Sequence, residues 1–228
     1  MTIIKYISSD DIVVKFDNGY IVHNNYANFK SRLIKNPFDR TVYGIGYMGD
    51  SNYYNNQNLS YSKSYQTWRD IIYRCYARKD ISHTKYRDCE ICKEWECYKN
   101  FEMWYNENYY ELPNERVHLD KDILVKNNKI YSPNTCVFVP QTINQLFQGH
   151  KANARGMTEG VHKYKNGFYI QIRNMFLNDV VIVKCISTIE EAEILYKTMK
   201  KEYIIKVSEF YKNAIPINVY NAIVNYEL

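Results

Sequence analysis

The sequence predicts an α+β protein made of consecutive parts. Short strand patterns separated by turn signals occur near both ends of the chain, and an aromatic helical pattern lies between them. The 228 residues are enough for one large domain or two to three small ones. We predict a small β-barrel-like module at 1–49, a linker at 50–64, a central ββα region with aromatic helices at 65–150, and a three-stranded sheet plus helix at 151–228.

Composition narrows the class of protein. Thirty Lys and Arg against 25 Asp and Glu give a formal charge of +5, which excludes a highly charged nucleic-acid-binding tail. No run approaches about 18 apolar residues, and the first residues lack a secretion pattern. We therefore expect a cytoplasmic protein with no membrane partner. The 24 Tyr, 9 Phe and 3 Trp suit nucleic-acid binding, although low-GC coding bias produces the same composition.

The N-terminal module is predicted from two strand-like runs, 11–16 and 20–23, with Asp17-Asn18-Gly19 between them. Asn-Gly between apolar runs is a strong hairpin signal, because the turn requires positive φ. Glycines in 42–49 stand where a small barrel would bend. The module is either a DNA-contacting accessory domain or a folding unit with a solvated basic face. Its basic residues are Lys30, Arg32, Lys35 and Arg40.

Two aromatic helices are predicted after the linker. The first is indicated by residues that recur at three- and four-residue steps: Trp68, Ile71, Ile72, Cys75 and Tyr76. The second is indicated by Trp95, Phe101 and Trp104. We expect both sets to lie in the core.

Two short strands, a polar loop and a helix from about Gln141 to Phe147 are predicted next. A strand histidine, loop carboxylates and amides, and an amide on the helix are the groups that a ββα-metal nuclease requires. The candidate catalytic residues are His118, Asp120 and Asn128, and the candidate ligands of Mg²⁺ or Mn²⁺ are Asp120, Asp122 and Asn144. The alternative is a strand histidine without catalytic function and aspartates that cap the loop.

Three strands and a helix are predicted near the C-terminus, within 160–164, 167–173 and 180–185 and from Thr188 onward. Thr188 followed by Glu191 satisfies the capping-box pattern at the helix start. Three strands packed on one helix form a plausible folding unit.

The central region resembles the HNH-endonuclease-like proteins of bacteriophages over about residues 65–148. The motifs that carry the resemblance are Trp68…Arg74-Cys75-Tyr76, Cys92-Lys93-Glu94-Trp95…Phe101…Trp104, Leu119-Asp120-Lys121-Asp122 and Tyr131-Ser132-Pro133-Asn134-Thr135-Cys136. The resemblance implies that Asn144 occupies a helix position that commonly binds metal.

One departure from the HNH pattern affects the expected activity. The family usually places an acidic residue or a second histidine beside the base, whereas Val117 and Leu119 flank His118 here. If His118 is the base, Asp120 or Asp122 replaces the usual ligand. If His118 occupies the ligand position, Leu119 replaces the base and the site is inactive.

The C-terminal unit resembles the plant ethylene-response-factor type of DNA-binding domain. The matching pieces are Gly160-Val161, Gly167-Phe168-Tyr169-Ile170 and Thr188-Ile189-Glu190-Glu191-Ala192-Glu193. In that family a three-stranded sheet enters the major groove, which implies DNA contacts by His162, Lys163, Tyr164, Lys165, Gln171 and Arg173. The local charge agrees, because 151–212 holds 11 basic and 7 acidic residues. Four further basic residues are expected to attract the phosphate backbone: Lys121, Lys126, Lys151 and Arg155.

The six cysteines are unevenly spaced, which does not indicate a disulfide framework. Cys89, Cys92 and Cys97 supply half of a zinc-knuckle pattern without a second pair at suitable spacing. Two alternatives stay open at these positions, a structural zinc site and buried reduced thiols.

The function that these patterns predict is a metal-dependent, HNH-like endonuclease that binds double-stranded DNA in the cytoplasm of an infected bacterial host. One alternative is an inactive HNH-derived protein that binds or regulates DNA. A second is a phage protein that binds and inhibits a host protein. The tail at 214–226 predicts a short helix that packs either within the chain or in a homodimer.

Overall fold

The computed structural model describes residues 1–49, 62–77, 86, 88–147, 157–174 and 179–228. The fold is mixed α+β with several small sheets. The chain forms two compact units, the first from Met1–Glu107 and Lys129–Ser132, the second from Asn108–Asn128 and Pro133–Leu228. The division between the units runs through the region predicted at 65–150, and most of the predicted linker lies outside the described residues.

The first unit begins with a three-stranded antiparallel sheet. Its strands β1 (Thr2–Tyr6), β2 (Ile12–Lys15) and β3 (Ile21–Asn24) are neighbours in that order, and the short helix α1 (Tyr26–Lys30) follows. The predicted hairpin turn is confirmed, with Gly19 at φ +90° between β2 and β3.

The predicted barrel is not found in the described residues. The sheet is open, because β1 and β3 each have only one neighbouring strand there. The glycine-containing segment 42–49 forms a tight turn closed by a bridge between Val42 and Gly46 instead of a long strand. Gly46 is needed for a close approach, since a Cβ there would lie 2.7 Å from the Trp68 ring.

An aromatic core fills the rest of the first unit. Its elements are α2 (Lys63–Ile72), a π-helical turn (Tyr73–Ala77), β4 (Glu90–Ile91), a 3₁₀ turn (Lys93–Glu96), α3 (Tyr98–Asn108) and β6 (Ile130–Tyr131), which pairs with β4 in parallel. Trp68 is fully buried and its indole N–H donates to the Trp95 carbonyl at 2.7 Å. Trp95 in turn contacts the Trp104 ring, with centroids 4.7 Å apart. The predicted core positions Trp68, Ile71, Ile72, Trp95 and Phe101 are therefore confirmed, whereas the prediction for Tyr76 is wrong, because its side chain is 40% exposed at the end of the π-helical turn.

The second unit contains an antiparallel two-stranded ribbon followed directly by a helix. Strands β5 (Val117–Asp120) and β7 (Val137–Pro140) pair along their whole length, and α4 (Gln141–Phe147) begins where β7 ends. These elements match the two strands and the helix that the sequence predicts. On α4 the buried Ile143 and Leu146 join Val137 and Val139 in one core cluster.

The C-terminal sheet of this unit has the order β10-β9-β8. Its strands are β8 (Val161–Tyr164), β9 (Gly167–Asn174) and β10 (Asp179–Ile186), and all pairs are antiparallel. The helix α5 (Ile189–Tyr211) packs on the sheet through Ala192 and Tyr196. The predicted capping box is confirmed: Thr188 Oγ1 accepts the Glu191 N–H, and Glu191 accepts the Thr188 N–H.

The tail forms α6 (Ile217–Val224), whose buried residues Val219 and Ile223 lie in the same core cluster as Ile204 and Val207 of α5. The tail helix therefore packs within its own unit. Among the described helices, none combines the length and the apolar character needed to cross a membrane.

A substitution at Gly160 tests the packing of α5 on the sheet. Gly160 has φ +76°, and a Cβ there would lie 2.1 Å from the Tyr196 ring and 2.8 Å from the Gln171 carbonyl oxygen. Gly160→Ala combines a left-handed backbone penalty with overpacking, so it should lower the free energy of unfolding by about 3 kcal/mol. Gly19→Ala is the control, since Gly19 has φ +90° and nothing within 4 Å of the added Cβ; it should cost about 1 kcal/mol. Denaturant titration, with hydrogen exchange of the β9 amides to localise the effect, measures both. Equal losses in the two variants would contradict the contact between Gly160 and Tyr196.

Candidate functional site

The ββα region places His118 on the core-facing side of its ribbon. His118 pairs with Val139 and Asp120 pairs with Val137, and directly opposed residues share one face of a sheet. Val137 and Val139 are both buried in the cluster that contains the apolar residues of α4. The side chains of His118 and Asp120 therefore belong to the face of the ribbon on which this core lies.

The His118 side chain carries an unsatisfied polar atom. Its Nε2 is buried and has no hydrogen-bond partner in the part of the chain that the structure describes. An unpaired buried polar group costs about 1–3 kcal/mol, so such atoms are rare in stable folds and call for a specific explanation. A bound group that offered Nε2 a hydrogen bond would remove this cost.

The loop after β5 is held together by Lys121, which is only 6% exposed. Its Nζ donates to both carboxylate oxygens of Asp122 at 2.8 Å and to the Asn128 carbonyl at 2.5 Å. The Asn128 side chain returns an amide hydrogen bond to the Lys121 carbonyl at 2.9 Å. Lys121 and Asn128 thus close the loop from its two ends.

Asp120 also contributes to the loop. Its Oδ1 accepts the backbone N–H groups of Asp122 and Ile123 at 2.7 and 2.8 Å. Burial raises the pKa of Asp120 above its usual value, while those two hydrogen bonds oppose the shift. One carboxylate oxygen is therefore committed to the backbone, as in the capping alternative that the sequence left open.

The predicted ligand set is only partly brought together. Asp120 and Asp122 lie two residues apart at the end of β5, and Asn144 lies on α4, half-buried. Across the described residues, no group of three or more His, Cys, Asp and Glu side chains has an arrangement that could hold a metal ion. Asp122 already has a cationic partner in Lys121. A metal at this site would have to compete with that ion pair.

The predicted phosphate-attracting residues fall into different environments. Lys121 is buried in the loop, which removes it from any surface role. Lys126 is exposed, donates to the Glu227 carbonyl at 2.8 Å and lies over the Tyr226 ring. Lys151 and Arg155 lie outside the described residues.

The outer face of the C-terminal sheet is the side opposite α5. Ile170 and Ile172 of β9 are buried against the helix, so alternation places Tyr169, Gln171 and Arg173 on the other side. The register adds the residues opposed to them. The outer face consists of His162, Tyr164, Tyr169, Gln171, Arg173, Val180 and Ile182, and of Lys184, whose Nζ lies over the Tyr164 ring.

Aromatic and cationic side chains meet on the outer face. The His162 and Tyr169 rings stack with centroids 4.8 Å apart and an angle of 19° between planes. Tyr164 meets Tyr169 edge-on, and its ring has Lys165 Nζ and Lys184 Nζ at 5.4 and 5.6 Å. No carboxylate belongs to the outer face as defined by its eight residues. It is a flat surface with two of its own cations and a third, Lys165, at its edge.

Two residues differ from the sequence prediction for this surface. Lys163 pairs with Phe168, which packs against the helix-side core, so Lys163 does not belong to the outer face. Lys184 does belong to it and was missed. The apolar run 180–183 hides the alternation of β10, and a bulge follows it at Cys185, where φ is +65°. Only the pairing with β9 reveals which side each residue takes.

The cysteines of the first unit do not form a metal centre in the described residues. Cys89 and Cys97 are buried, and Cys97 Sγ donates to the Met48 carbonyl at 3.9 Å. Burial raises the pKa of the Cys92 thiol to about 11, which favours the protonated form. This environment is that of packed, reduced thiols; the zinc site stays a prediction.

Comparison of the chain with protein families, with curated proteins and with solved structures found no match.

The structural role of Lys121 is tested by Lys121→Met, with Lys126→Met as the matched control. Loss of the buried ammonium group leaves the Asn128 carbonyl without its donor, so Lys121→Met should lower the free energy of unfolding by about 2 kcal/mol. Lys126 is exposed, so the loss of its hydrogen bond to the Glu227 carbonyl and of its contact with the Tyr226 ring should lower the free energy of unfolding by no more than about 1 kcal/mol. Denaturant titration of both variants measures the difference. Unchanged stability in Lys121→Met would show that the loop does not depend on this side chain.

Proposed function

We propose that this protein binds double-stranded DNA through the outer face of its C-terminal sheet. The observation that carries the proposal is the composition of that face: Lys184 and Arg173, with Lys165 at its edge, an amide and three aromatic rings, and no carboxylate among its eight residues. Cations suit phosphates, and the Gln171 amide suits the base edges of the major groove.

The shape of the surface agrees with this function. The major groove of B-DNA admits a two-stranded β-ribbon, which is the width of β9 with one neighbouring strand. Val180 and Ile182 are 36% and 48% exposed on the outer face, although no apolar partner covers them in the described residues. Apolar side chains at such positions suit the methyl groups of thymine. The resemblance of 160–193 to the ethylene-response-factor type of domain implies the same surface.

The test is the affinity of the purified protein for duplex DNA, measured by fluorescence anisotropy over a range of salt concentrations. The double variant Lys165→Gln/Lys184→Gln removes two cations from the face and should lower the slope of log affinity against log salt by about 1.8, or 0.9 per phosphate. Lys197→Gln/Lys206→Gln is the matched control. It removes two exposed lysines of α5, which lie on no surface assigned to DNA.

Two results would count against the proposal. Wild-type protein that fails to bind duplex DNA at low salt would overturn DNA binding. Equal slopes for the two double variants would move the DNA surface away from the sheet.

A second candidate function is metal-dependent cleavage of the bound DNA. It is favoured by the order of β5, β7 and α4, which is that of a ββα nuclease, and by the buried Nε2 of His118, which lacks a partner in the described residues. In this function His118 would accept a proton from the attacking water. Asn144 and a carboxylate after β5 would hold Mg²⁺ or Mn²⁺, which would supply charge stabilisation at the phosphate. The ties of Asp120 to the backbone and of Asp122 to Lys121 weigh against it.

Cleavage is tested by nicking of supercoiled plasmid with Mg²⁺, with Mn²⁺ and with chelator. An active enzyme should nick only with metal, and His118→Ala and Asn144→Ala should each abolish nicking while duplex binding persists, because neither residue lies on the sheet face. Circular dichroism checks that both variants fold. Binding without nicking in the wild type would identify a DNA-binding protein with an inactive ββα region.

A further inference from the structure

A polar surface cleft lies in the second unit, at the start of α4. Its volume is about 510 Å³, and its lining residues come from the turn before β5, from α4 and from the end of β9. They are Asn114, Glu115, Arg116, Gln141, Thr142, Gln145 and Arg173. Asn144, the candidate metal ligand on the same helix, is not among them.

The cleft is built on a rigid frame. Leu112 and Glu115 form a bridge across a tight turn in which Asn114 has φ +62°, a conformation that asparagine tolerates better than most residues. The Gln141 N–H donates to the Arg116 carbonyl at 2.8 Å, which joins this turn to the first residue of α4. The walls of the cleft are thus fixed by backbone hydrogen bonds.

Glu115 is the only acidic residue of the lining, and its carboxylate is already occupied. Oε1 accepts the Thr142 N–H at 2.8 Å, and Oε2 accepts the Tyr211 hydroxyl at 2.5 Å. Burial, and then the nearby Glu115 carboxylate, raise the pKa of Tyr211 to about 12, so the hydroxyl keeps its proton and remains a donor. Glu115 therefore acts as a brace between α4 and α5.

The other lining residues carry amide, hydroxyl or guanidinium groups, all of which can donate hydrogen bonds. Gln141 and Gln145 are four residues apart and lie on one side of α4. Within the described residues, the Arg116 guanidinium has no hydrogen bond or ion pair. Arg116 and Arg173 give the lining two positive charges, whereas its one carboxylate, Glu115, is already hydrogen-bonded to Thr142 and Tyr211. Planar guanidinium groups bind phosphate oxygens in a bidentate manner.

We propose that this cleft binds a phosphate group of the DNA backbone. The inference rests on the proposed DNA binding and extends it, because it places a contact outside the sheet face. Arg173 connects the two surfaces: it belongs to the outer face of β9 and also lines the cleft. The lining side chains Arg116, Gln141 and Gln145 are exposed, which suits a backbone that passes along the surface.

The test compares Arg116→Gln with Lys206→Gln in the duplex-binding titration. Arg116 lies outside the sheet face, and Lys206 is an exposed lysine of α5 that lines neither surface. Arg116→Gln should weaken duplex binding about tenfold at low salt. It should also lower the salt slope by about 0.9, since one phosphate contact is lost. Lys206→Gln should do neither.

The possible outcomes separate this inference from the proposed function. If the wild type binds duplex DNA and the two single variants have equal affinity and slope, the cleft is not a phosphate site and DNA binding by the sheet stands. If the wild type does not bind duplex DNA, both proposals fail.

A second arm distinguishes the source of the phosphate. Inorganic phosphate is titrated while the side-chain amides of Gln141 and Gln145 are followed by NMR. One result would assign the cleft to a small free anion and overturn the backbone contact. In that result, phosphate perturbs the amides in the wild type but not in Arg116→Gln, and duplex DNA leaves them unchanged. Perturbation of the same amides by duplex DNA is the result that we expect.

Discussion

A buried ammonium group determines the conformation of the loop that follows β5 and contains the candidate residues Asp122 and Asn128. A cation in a protein interior is costly unless several acceptors surround it, and Lys121 obtains them from Asp122 and Asn128. Asn128 must then lie beside the Lys121 carbonyl, which accepts its side-chain amide. The direction of the Asp122 carboxylate follows from the same requirement. The loop that sequence patterns assign to metal binding is therefore organised first by its own internal cation.

The local elements of this fold are predictable because their causes are local. The turn at Asn18-Gly19 needs a residue that accepts positive φ, and the start of α5 needs acceptors for free N–H groups, which Thr188 and Glu191 provide. The bounds of α4 follow in the same way, because its apolar residues recur with helical spacing after a strand that ends at Pro140. In each case the sequence pattern that predicts the element lies within the few residues that form it.

The surface assignments were less predictable because they depend on distant partners. A lysine in a polar loop is usually exposed, and only the fold shows that the acceptors around Lys121 leave it 6% exposed. Lys163 and Lys184 present a different difficulty. Pairing with Phe168 determines the face of the sheet on which Lys163 lies, and the position of β10 on β9 determines the face for Lys184. The identity of a lysine does not indicate its face. The cleft could not be predicted either, because its residues Arg116 and Arg173 are far apart in the sequence and only the fold brings them together.

The case for cleavage in addition to DNA binding depends on one atom, Nε2 of His118. If the ββα region had only a packing role, an apolar residue at position 118 would fill the same face of the ribbon without the cost of an Nε2 that has no partner in the described residues. Packing alone therefore gives no reason for a histidine there. A bound water, metal-ligated group or phosphate would satisfy the atom and remove the cost, and each of these belongs to nuclease chemistry. The proposed DNA binding by the sheet does not need His118, so the Nε2 that lacks a partner in the described residues supports cleavage as a second proposed activity.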